Sequence, residues 1–568
     1  MSKKSYLWSA VKWLLTLIVL FLLFWFQLPA INLRDEAFWS FISEAVIAIV
    51  IINAFSSVLA ILGRFIKTKD GKVVLESGEH HKKFSFKTLG KPILIAVCAI
   101  GLVIVFSFVM NIVGAQIFNA KRYNELITLK NGDFVSEVAE IEMSQIPVVD
   151  KESAQTLGKR KLGEMADYVS QFEIANNYTQ INYKDEPYRV TPLVYGDPIK
   201  WLNNQKSGIP AYITVNMTTQ ETNTVRVNGG IKYSESEYFM RNIHRYLRFK
   251  YPTKIFDDVS FEIDENGTPF WVASTVEFKI AFWSGRDIGG AVLVNAVTGE
   301  SKYYNLEDVP TWVDQVYSSN MIIDQLVYNG KYRSGFINSI FGQKGVLQPT
   351  EGYNYLAIND DVWLYTGMTS VVSDESNVGF VLVNLRTKDA KYYTVPGAKE
   401  YSAMSSAEGA VQEKGYVATF PILLNVSDRP TYFMSLKDDA GLVKMYAFVD
   451  VEAYQVLGTG ATVNTARENY IANLKHEDIE VEDTQEESGY STLVIVGDIK
   501  SAVVNGNTKY YLNVRSSDEI SSIPPAPVIV VDISLSNELP FVKRGDKCVI
   551  TYEYDENDNI VVTGFELK

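Results

Sequence analysis

The chain has 568 residues, a length that predicts several folded units and not one ordinary domain. Residues 1–118 hold 12 Lys and Arg against 6 Asp and Glu, whereas residues 119–568 hold 41 against 61. The resulting charge of −20 on the longer part repels phosphate groups, which argues against a nucleic acid as the partner.

Three apolar stretches near the N-terminus are long enough to cross a bilayer. They run over residues 13–31, 38–62 and 92–118, so residues 1–118 are predicted to form a three-helix transmembrane region. The first stretch is longer than the apolar core of a typical signal peptide, and no small-x-small cleavage site follows Pro29. We therefore interpret it as a membrane anchor that stays on the protein.

Positive charge is distributed unevenly among the segments that flank these stretches. Three lysines precede the first stretch and eight Lys and Arg lie within residues 64–91, whereas only Arg34 lies between the first and second stretches. Cytoplasmic loops carry the excess of Lys and Arg, so the N-terminus and residues 64–91 are predicted to be cytoplasmic. Three crossings then place the region after about residue 119 outside the cytoplasm.

Three polar residues lie within or near the apolar stretches: Glu44, Asn53 and Asn111. One interpretation is a path for ions or protons through the membrane. The other is that Glu44 reaches the outer interface while the asparagines form hydrogen bonds between packed helices. We favour the second, because three helices with one carboxylate are a poor basis for a transporter.

The two cysteines indicate the compartment. Cys98 lies in the third apolar stretch and Cys548 lies near the C-terminus, so no intramolecular disulfide is expected. A large exterior region without disulfides is typical of a bacterial cell envelope. The chain is therefore predicted to be a multi-pass protein of a bacterial plasma membrane.

Residues 119–250 are predicted to form a connector and a mixed α/β module. Asp150 or Ser153 is placed to cap a helix that continues to about Val169. Three stretches rich in Val, Ile, Thr and Tyr then predict strands, at residues 189–195, 211–216 and 224–233.

Residues 235–250 have the pattern of an amphipathic helix with a basic face. The apolar residues at helical spacing are Phe239, Ile243, Tyr246 and Leu247. The basic residues are Arg241, His244, Arg245 and Arg248. These four basic residues are candidates for contact with an anion or with the membrane surface. The alternative, which we favour, is an ordinary amphipathic helix packed on a sheet.

Three segments between residues 251 and 476 share a strand, a turn and a second strand: 290–310, 379–397 and 444–460. In each, a valine and an Asn or Asp end the first strand. These pairs are Val294-Asn295, Val383-Asn384 and Val449-Asp450. The similarity predicts repeated β-meander modules with the three valines in the same inward position. Short helices are predicted to follow, at Val309–Tyr317, Tyr401–Val411 and Thr465–Leu474.

The first of these segments resembles a known family. Its pattern of strand, Val-Asn-x-x-Thr-Gly-Glu and strand at residues 290–304 is similar to the second half of PepSY-type modules, and the match extends over Phe261–Tyr317. The resemblance implies extracytoplasmic, non-catalytic modules in which a sheet packs on a helix, sometimes proposed to regulate peptidases or cell-wall enzymes. It supplies no catalytic residues.

Residues 477–489 are strongly acidic and are interpreted as a solvated linker. Residues 490–568 contain five predicted strands with an Asn-Gly turn signal after the first. This unit resembles a small OB-type β-barrel, a fold that often binds oligomeric ligands. Because the unit has few basic residues, a protein or glycan partner is expected rather than single-stranded nucleic acid.

Catalytic and metal-binding patterns are absent from the sequence. His244, His476 and Cys548 are too far apart to indicate a zinc site, and no phosphate-binding loop or nucleophile motif is present. Three acidic pairs, at 257–258, 360–361 and 438–439, are each expected at a turn, where Asp is common for backbone reasons. No catalytic, cofactor-binding or metal-ligating residue is therefore predicted.

The fold class predicted is a membrane protein in which three N-terminal transmembrane helices precede an α+β, β-rich exterior region of repeated meander modules and a small C-terminal β-barrel. The function predicted is that of a non-enzymatic envelope protein, whose exterior modules bind or organise surface proteins or cell-wall polymer and regulate an envelope enzyme. Two alternatives remain: a hydrolase whose carboxylates converge in three dimensions, and a subunit of a small membrane channel or transporter. No oligomeric state is predicted.

Overall fold

The structure is a computed structural model. It describes residues 3–69, 72–75, 86–140, 145–358, 360–371, 376–477, 479, 490–504, 507–516, 528–536, 538–554 and 560–568. Most of the predicted acidic linker, 477–489, and part of the basic 64–91 loop lie outside these residues.

The N-terminal region consists of three long helices, which confirms the predicted count. They are α1 (Lys3–Gln27), α2 (Glu36–Phe65) and α3 (Phe86–Gly114), with a hairpin of β1 (Ile66–Lys69) and β2 (Lys72–Leu75) after α2. Each contains a segment apolar and long enough to span a membrane: Ser9–Gln27, Glu36–Ser56 and Val97–Gly114. Only 6% of each segment is buried within the chain, as expected for helices surrounded by lipid.

Polar side chains connect the first two helices. The Gln27 side chain donates a hydrogen bond to Glu44, and Lys12 Nζ donates to Asn53 Oδ1 at 2.8 Å. On α3, Asn111 accepts a hydrogen bond from the indole nitrogen of Trp283 at 3.4 Å. The bond of Asn53 agrees with the interpretation that the asparagines form hydrogen bonds between packed helices, whereas Asn111 bonds to Trp283 of the β-rich region and to Ser107 O of its own helix. Glu44, however, has a partner on the neighbouring helix.

The β-rich region contacts the ends of the membrane helices through two loops. The backbone nitrogen of Ile31 donates to Pro252 O at 2.7 Å, and Arg122 Nη1 donates to Ile280 O at 2.6 Å. The Trp283 ring lies 5.8 Å from the ring of Phe106 on α3. The α1–α2 connection and the C-terminal end of α3 therefore lie on the same side as the β-rich region, as three crossings require.

A short connector leads from α3 into the first sheet unit. It comprises α4 (Gln116–Asn124), β3 (Lys130–Gly132) and α5 (Phe134–Glu137). Helix α6 (Lys151–Gly163) begins where the sequence predicts, because the Asp150 carboxylate accepts a hydrogen bond from the Ser153 backbone nitrogen at 2.9 Å. Helix α7 (Ala166–Val169) follows it.

Four units follow in succession, each made of a helix and a sheet of its own antiparallel strands; in the third unit β3 of the connector adds a parallel edge strand. The first has α6 and β4 (Phe172–Ile174), β5 (Thr179–Tyr183), β6 (Glu186–Tyr195), α8 (Pro198–Asn204), β7 (Ile209–Asn216) and β8 (Thr222–Ile231). The second has α9 (Ile243–Lys250), β9 (Phe256–Ile263), β10 (Pro269–Phe278), β11 (Arg286–Asn295) and β12 (Ser301–Asn305). In both, the sheet order follows the chain, and in the first unit β4 and β5 both pair with β6.

The third and fourth units repeat this arrangement. The third has α10 (Ser319–Lys331), α11 (Gly335–Ile337), β13 (Leu347–Pro349), β14 (Asn354–Ile358), β15 (Asp361–Ser370), β16 (Ser376–Asn384), β17 (Ala390–Tyr393) and β18 (Gly397–Ala398). The fourth has α12 (Glu400–Ala410), β19 (Val417–Ala418), β20 (Ile422–Val426), β21 (Arg429–Lys437), β22 (Val443–Asp450) and β23 (Leu457–Gly460), followed by α13 (Val463–His476). Helix α13 can pack directly on β23 because Gly458 has no side chain: a Cβ there would lie 2.1 Å from the Tyr470 backbone nitrogen.

The register of the central strands confirms the predicted equivalence of the three valines. Val294, Val383 and Val449 are fully buried, and they lie opposite Trp271, Leu364 and Tyr432, respectively. The side chain of the next residue, Asn295, Asn384 or Asp450, accepts hydrogen bonds from two backbone nitrogens of the turn that follows. The turn therefore stops the strand in the same way in each unit.

The sequence analysis missed the first unit as a member of this series. Val215 is fully buried, and Asn216 accepts hydrogen bonds from Thr218 N and Thr219 N, both at 2.9 Å. The shared pattern is Val-Asn-x-x-Thr-x-Glu/Asp at residues 215–221, 294–300 and 383–389. The repeats thus begin in the segment that was predicted to be a connector and mixed module.

One of the predicted helices is wrong. Residues 309–317 form turns, bends and irregular backbone, whereas the helix is α10, which starts at Ser319. The backbone nitrogens of Val316 and Tyr317 donate to Leu385 O, and those of Asp314 and Gln315 donate to Glu262. These long-range bonds occupy the backbone groups that a local helix would need. The helices predicted at 401–411 and 465–474 are confirmed as α12 and α13.

The C-terminal region forms a separate antiparallel sheet with its own apolar core. Its strands are β24 (Tyr490–Val504), β25 (Asn507–Ser516), β26 (Val528–Asp532), β27 (Lys547–Tyr554) and β28 (Ile560–Leu567), in the order β26-β25-β24-β27-β28. Cys548 is buried in this core as a free thiol. Among the described residues β26 and β28 are not paired, so a closed barrel is not formed by hydrogen bonds.

The four repeated units share one apolar core. It includes Leu193 of the first unit, Phe261 of the second, Phe380 of the third and Phe448 of the fourth. A second core lies between the second and third units and includes Leu293 and Val381. The units are therefore packed together as one body, and polar groups can be buried where they meet.

Candidate binding site

A cavity of about 910 Å³ lies where the four units meet. Its lining comes from β5 and β6 of the first unit, β9 and β10 of the second, β14 of the third, and β19 and the end of β21 of the fourth. A cavity of this size is in the range of small-molecule and short-peptide sites. Each of the four units contributes residues to its lining.

Arg189 is the unusual residue of this lining. It lies in β6 opposite the buried Val215, the position that Trp271, Leu364 and Tyr432 occupy in the other three units. Its side chain is only 5% exposed. The first unit therefore carries an arginine at a position where the other units have an apolar or aromatic core residue.

Arg189 has no salt-bridge partner within the part of the chain that the structure describes, and its Nε atom has no hydrogen-bond acceptor there. Burial lowers the pKa of Arg189, while the Tyr355 hydroxyl and the Asp150 carboxylate oppose that change from a distance. A guanidinium stays protonated in proteins, so this side chain places a positive charge at the cavity wall.

Other polar groups beside Arg189 also lack partners. Gln180 lies directly opposite Arg189 in the β5–β6 pair, is 1% exposed, and has neither its amide nitrogen nor its amide oxygen bonded within the described chain. The hydroxyl of Tyr178, two residues earlier, is likewise without a partner in the described residues. Unpaired buried polar groups usually cost about 1–3 kcal/mol each, so the grouping of these side chains beside one cavity leaves hydrogen-bonding groups for water or for a polar ligand.

The cavity lining also includes hydroxyl groups. The hydroxyls of Ser319 and Tyr355 are 2.7 Å apart, and burial raises the pKa of Tyr355. Ser318 caps α10 and donates a hydrogen bond to Asp257 at 2.6 Å. These neutral groups can bind hydroxyl, amide or carboxylate groups of a ligand without adding charge.

Acidic residues dominate the mouth of the cavity. Lys437 Nζ lies 2.8 Å from Asp150 and 3.1 Å from Glu152, so this lysine is neutralised within the wall. Burial raises the pKa of Asp150, but hydrogen bonds from Lys437 and Ser153 outweigh it and leave the pKa below its ordinary value. Asp258 and Asp439 are exposed at the rim. The cavity thus combines a positive wall with an acidic entrance.

Two buried carboxylates lie behind the cavity. Glu262 is fully buried and accepts hydrogen bonds from Asp314 N at 2.9 Å, Gln315 N at 3.3 Å and the Ser260 hydroxyl at 2.8 Å. Burial raises the pKa of Glu262 to about 7. Burial and the neighbouring Glu262 raise the pKa of Asp314 well above its ordinary value, although Asn182 N donates to it at 2.7 Å. These groups attach the 309–317 loop to the first two units and act structurally.

The four basic residues predicted for anion or membrane contact are not brought together as one site. Arg241 donates to Gln205 O at 2.5 Å, and His244 lies 3.5 Å from the Glu235 carboxylate. Arg245 lies 4.3 Å above the ring of Trp25, and Arg248 Nε donates to Leu28 O at 2.8 Å. Helix α9, which carries three of them, therefore contacts the end of α1, and none of the four lines the cavity.

The acidic pairs are mostly engaged in internal contacts. Asp361 accepts two hydrogen bonds from Arg386, and Asp438 accepts from Ala440 N and Leu442 N in a turn. The prediction that each pair lies at a turn is wrong for 257–258, which lies within β9, where Asp257 binds Arg286 at 2.6 Å. No group of three His, Cys, Asp or Glu in the described residues is arranged to hold a metal ion.

Sequence reasoning missed Arg189 because the strand was predicted to begin at that residue. The observed strand begins at Glu186, which moves Arg189 from an exposed strand end into the interior. The signal present in the sequence was the similarity of Val215-Asn216 to the three pairs already aligned, Val294-Asn295, Val383-Asn384 and Val449-Asp450. Aligning all four pairs would have placed Arg189 opposite a core valine.

Comparisons with known proteins do not name a family for this chain. No family model and no curated protein matches it. A solved structure of a mutant levansucrase from B. megaterium is similar over 80% of this chain and 94% of its own, at 8% identity and a TM-score of 0.17. A TM-score of this size does not show a shared fold, so the function has to be inferred from the site itself.

Proposed function

We propose that this protein is a non-enzymatic, membrane-anchored binding protein of a bacterial envelope. The observation that carries the proposal is Arg189, a buried arginine without a salt-bridge partner in the described chain, on the wall of a cavity between four units. Burying a charge without a counter-charge is costly, and binding sites are where such costs are found. The ligand is a surface protein segment, a cell-wall fragment or a smaller molecule derived from one.

The proposed location is extracytoplasmic. The β-rich region carries the net charge of −20, whereas the positive charge of the N-terminal region lies mainly in the first half of α1 and within residues 64–91. The positive-inside rule then puts the cavity on the outer side of the membrane. Contacts such as Ile31 N to Pro252 O position the units close to the membrane surface.

Two family relationships are part of the proposal. We regard the four units as PepSY-like, because each joins a helix to an antiparallel sheet and three carry the Val-Asn-x-x-Thr turn. We regard residues 490–568 as OB-like, because the strand order, counted from β24, is 3-2-1-4-5. On this view the C-terminal unit is a second interaction module with a protein or glycan partner.

Photo-crosslinking in intact cells tests the proposal. A benzoylphenylalanine introduced at Tyr353, which is exposed at the cavity, should form an adduct of defined mass with the full-length protein. The same group at Tyr454, which is exposed on the fourth unit and does not line the cavity, is the matched control.

The adduct at position 353 should disappear when Arg189→Met is combined with it. An adduct pattern that is the same at positions 353 and 454, or that persists unchanged without Arg189, would contradict a binding function for this cavity.

A further inference from the structure

The chemistry of the cavity identifies a ligand class, an inference that rests on the proposed binding function. We propose that the cavity binds a short peptide or peptide-like molecule through its free terminal carboxylate, with Arg189 as the ion-pair partner. The other cations of the described lining are Lys437, which is held by Asp150 and Glu152, and Lys151, which is exposed to solvent. Arg189 is therefore the buried positive charge of the described lining that has no ion-pair partner.

Arg189 fits a carboxylate because its guanidinium is a planar fork that forms two parallel hydrogen bonds with two oxygens. The residue is 5% exposed, so the pair would be shielded from water and strong. Its neighbour Gln180 has both an unpaired donor and an unpaired acceptor, the combination that a peptide group requires. The two side chains are directly opposed in adjacent strands, and so they act on neighbouring groups of one ligand.

The acidic entrance selects against the other anions that an arginine could bind. Phosphates, nucleotides and tricarboxylates carry two or more negative charges, which would be repelled at the rim by Asp258 and Asp439. A ligand with one carboxylate and a neutral or cationic remainder can pair with Arg189 on the wall without being repelled by the acidic residues at the rim. An amino group at the far end of a peptide would be attracted by the same rim residues.

The volume and the hydroxyl groups agree with a ligand of several residues. About 910 Å³ holds more than a single amino acid, and the lining provides the Ser319 and Tyr355 hydroxyls for main-chain or side-chain polar groups. The lining also includes apolar surface, from residues such as Val417 and Phe420, which can contact the side chains of a peptide.

Calorimetric titration of the full-length protein in detergent micelles tests the inference. The probes are mixed tetrapeptides with free carboxyl termini, the same mixture with amidated carboxyl termini, inorganic phosphate, and a neutral disaccharide. The free-carboxylate peptides should bind, and amidation should weaken binding by at least ~30-fold, because a buried charge would lose its partner.

Variants of the cavity residues distinguish the effect of the arginine charge on binding from the effect of the cavity's shape. Arg189→Met should reduce binding of the free peptides to the level of the amidated ones, and Arg189→Lys should restore only part of the loss, because lysine cannot form the two-pronged pair. Gln180→Leu should weaken the binding of the free peptides and of the amidated peptides by the same factor. Arg160→Leu, at an exposed position on α6, is the control and should change nothing.

The outcomes are distinguishable. Binding of the disaccharide or phosphate in place of the peptides would overturn the ligand class and leave the binding function intact. Equal binding of free and amidated peptides would also overturn the carboxylate assignment. No binding of any probe, together with no adduct in the crosslinking experiment, would overturn both proposals.

Discussion

Replacing Arg189 by methionine should not destabilise the ligand-free protein, although the residue is almost completely buried. Most substitutions of a buried residue lower the free energy of unfolding. Here the side chain is 5% exposed and has no salt-bridge partner in the described chain, so the wild-type protein already bears the cost of a desolvated charge. Methionine is close to arginine in length, and the equivalent positions hold Trp271, Leu364 and Tyr432.

The expected magnitude follows from the balance of two effects. Apolar replacement of buried charges is typically neutral or stabilising by about 1–4 kcal/mol. Loss of packing by the arginine stem is small, because methionine retains most of the apolar chain. We therefore expect the free energy of unfolding of Arg189→Met to be unchanged or higher by up to about 4 kcal/mol.

Arg429→Met is the matched control. Arg429 lies in β21 of the fourth unit and pairs with Asp450 at 2.7 Å, and Asp450 is fully buried. Removing the arginine leaves a buried carboxylate without its counter-charge, so this variant should lose about 3 kcal/mol. The two variants make the same chemical change in two different electrostatic settings.

Urea-induced unfolding, followed by the fluorescence of the tryptophans and performed after exhaustive dialysis to remove ligand, measures both variants. A loss of more than about 1 kcal/mol for Arg189→Met would show that Arg189 makes a stabilising interaction in the folded protein. The reasoning that identifies the cavity as a binding site would then fail.

Three further predictions concern the rest of the molecule. Protease added to wall-less cells should cleave the region after residue 119 and leave residues 64–91 intact; the opposite pattern would reverse the orientation. Aspartate in place of any one of the four equivalent valines should lower the free energy of unfolding by several kcal/mol in denaturant titration, because each valine is fully buried; the variants are Val215→Asp, Val294→Asp, Val383→Asp and Val449→Asp. Asn295→Ser should lower it by only about 1 kcal/mol. Equal effects of the valine and asparagine substitutions would contradict the shared register. Burial raises the pKa of Glu262 to about 7 in the folded protein, against 4.5 ordinarily. Its contribution to the free energy of unfolding is therefore complete below pH 4.5 and is lost as the pH rises through 7. The total loss is at most about 3 kcal/mol. Glu262→Gln should remove that part of the pH dependence, and a stability that rises from pH 5 to pH 8 in the wild type relative to the variant would refute it.

Periodicity and composition were sufficient for the membrane helices and for the repeated strands. The three helices are marked by uninterrupted apolar runs, a signal that depends only on local sequence. The position of Val294, Val383 and Val449 was predictable because side chains alternate along a strand and a turn residue fixes where the strand ends. Val215-Asn216 has the same features, but the strand that follows it lacks the tyrosine pair found after Val294-Asn295 and Val383-Asn384, so the similarity was harder to recognise.

The site could not be predicted because it is made by contacts between distant parts of the chain. Arg189 and Gln180 are adjacent through a hairpin, but their cavity is completed by residues such as Tyr355 and Lys437, far along the chain. The 309–317 segment was predicted to be helical for a similar reason. Its local pattern permits a helix, whereas its backbone nitrogens bind Glu262 and Leu385 O from other units.

Native mass spectrometry of the full-length protein, purified in mild detergent from the membranes of its own cells, tests the central claim most directly. The wild-type protein should carry a bound molecule of discrete mass, and Arg189→Met, purified in the same way, should carry none. The exposed-site variant Arg160→Leu should retain the molecule. A wild-type mass equal to that of the bare chain, or a bound molecule that remains after Arg189→Met, would contradict the assignment of this cavity as the binding site.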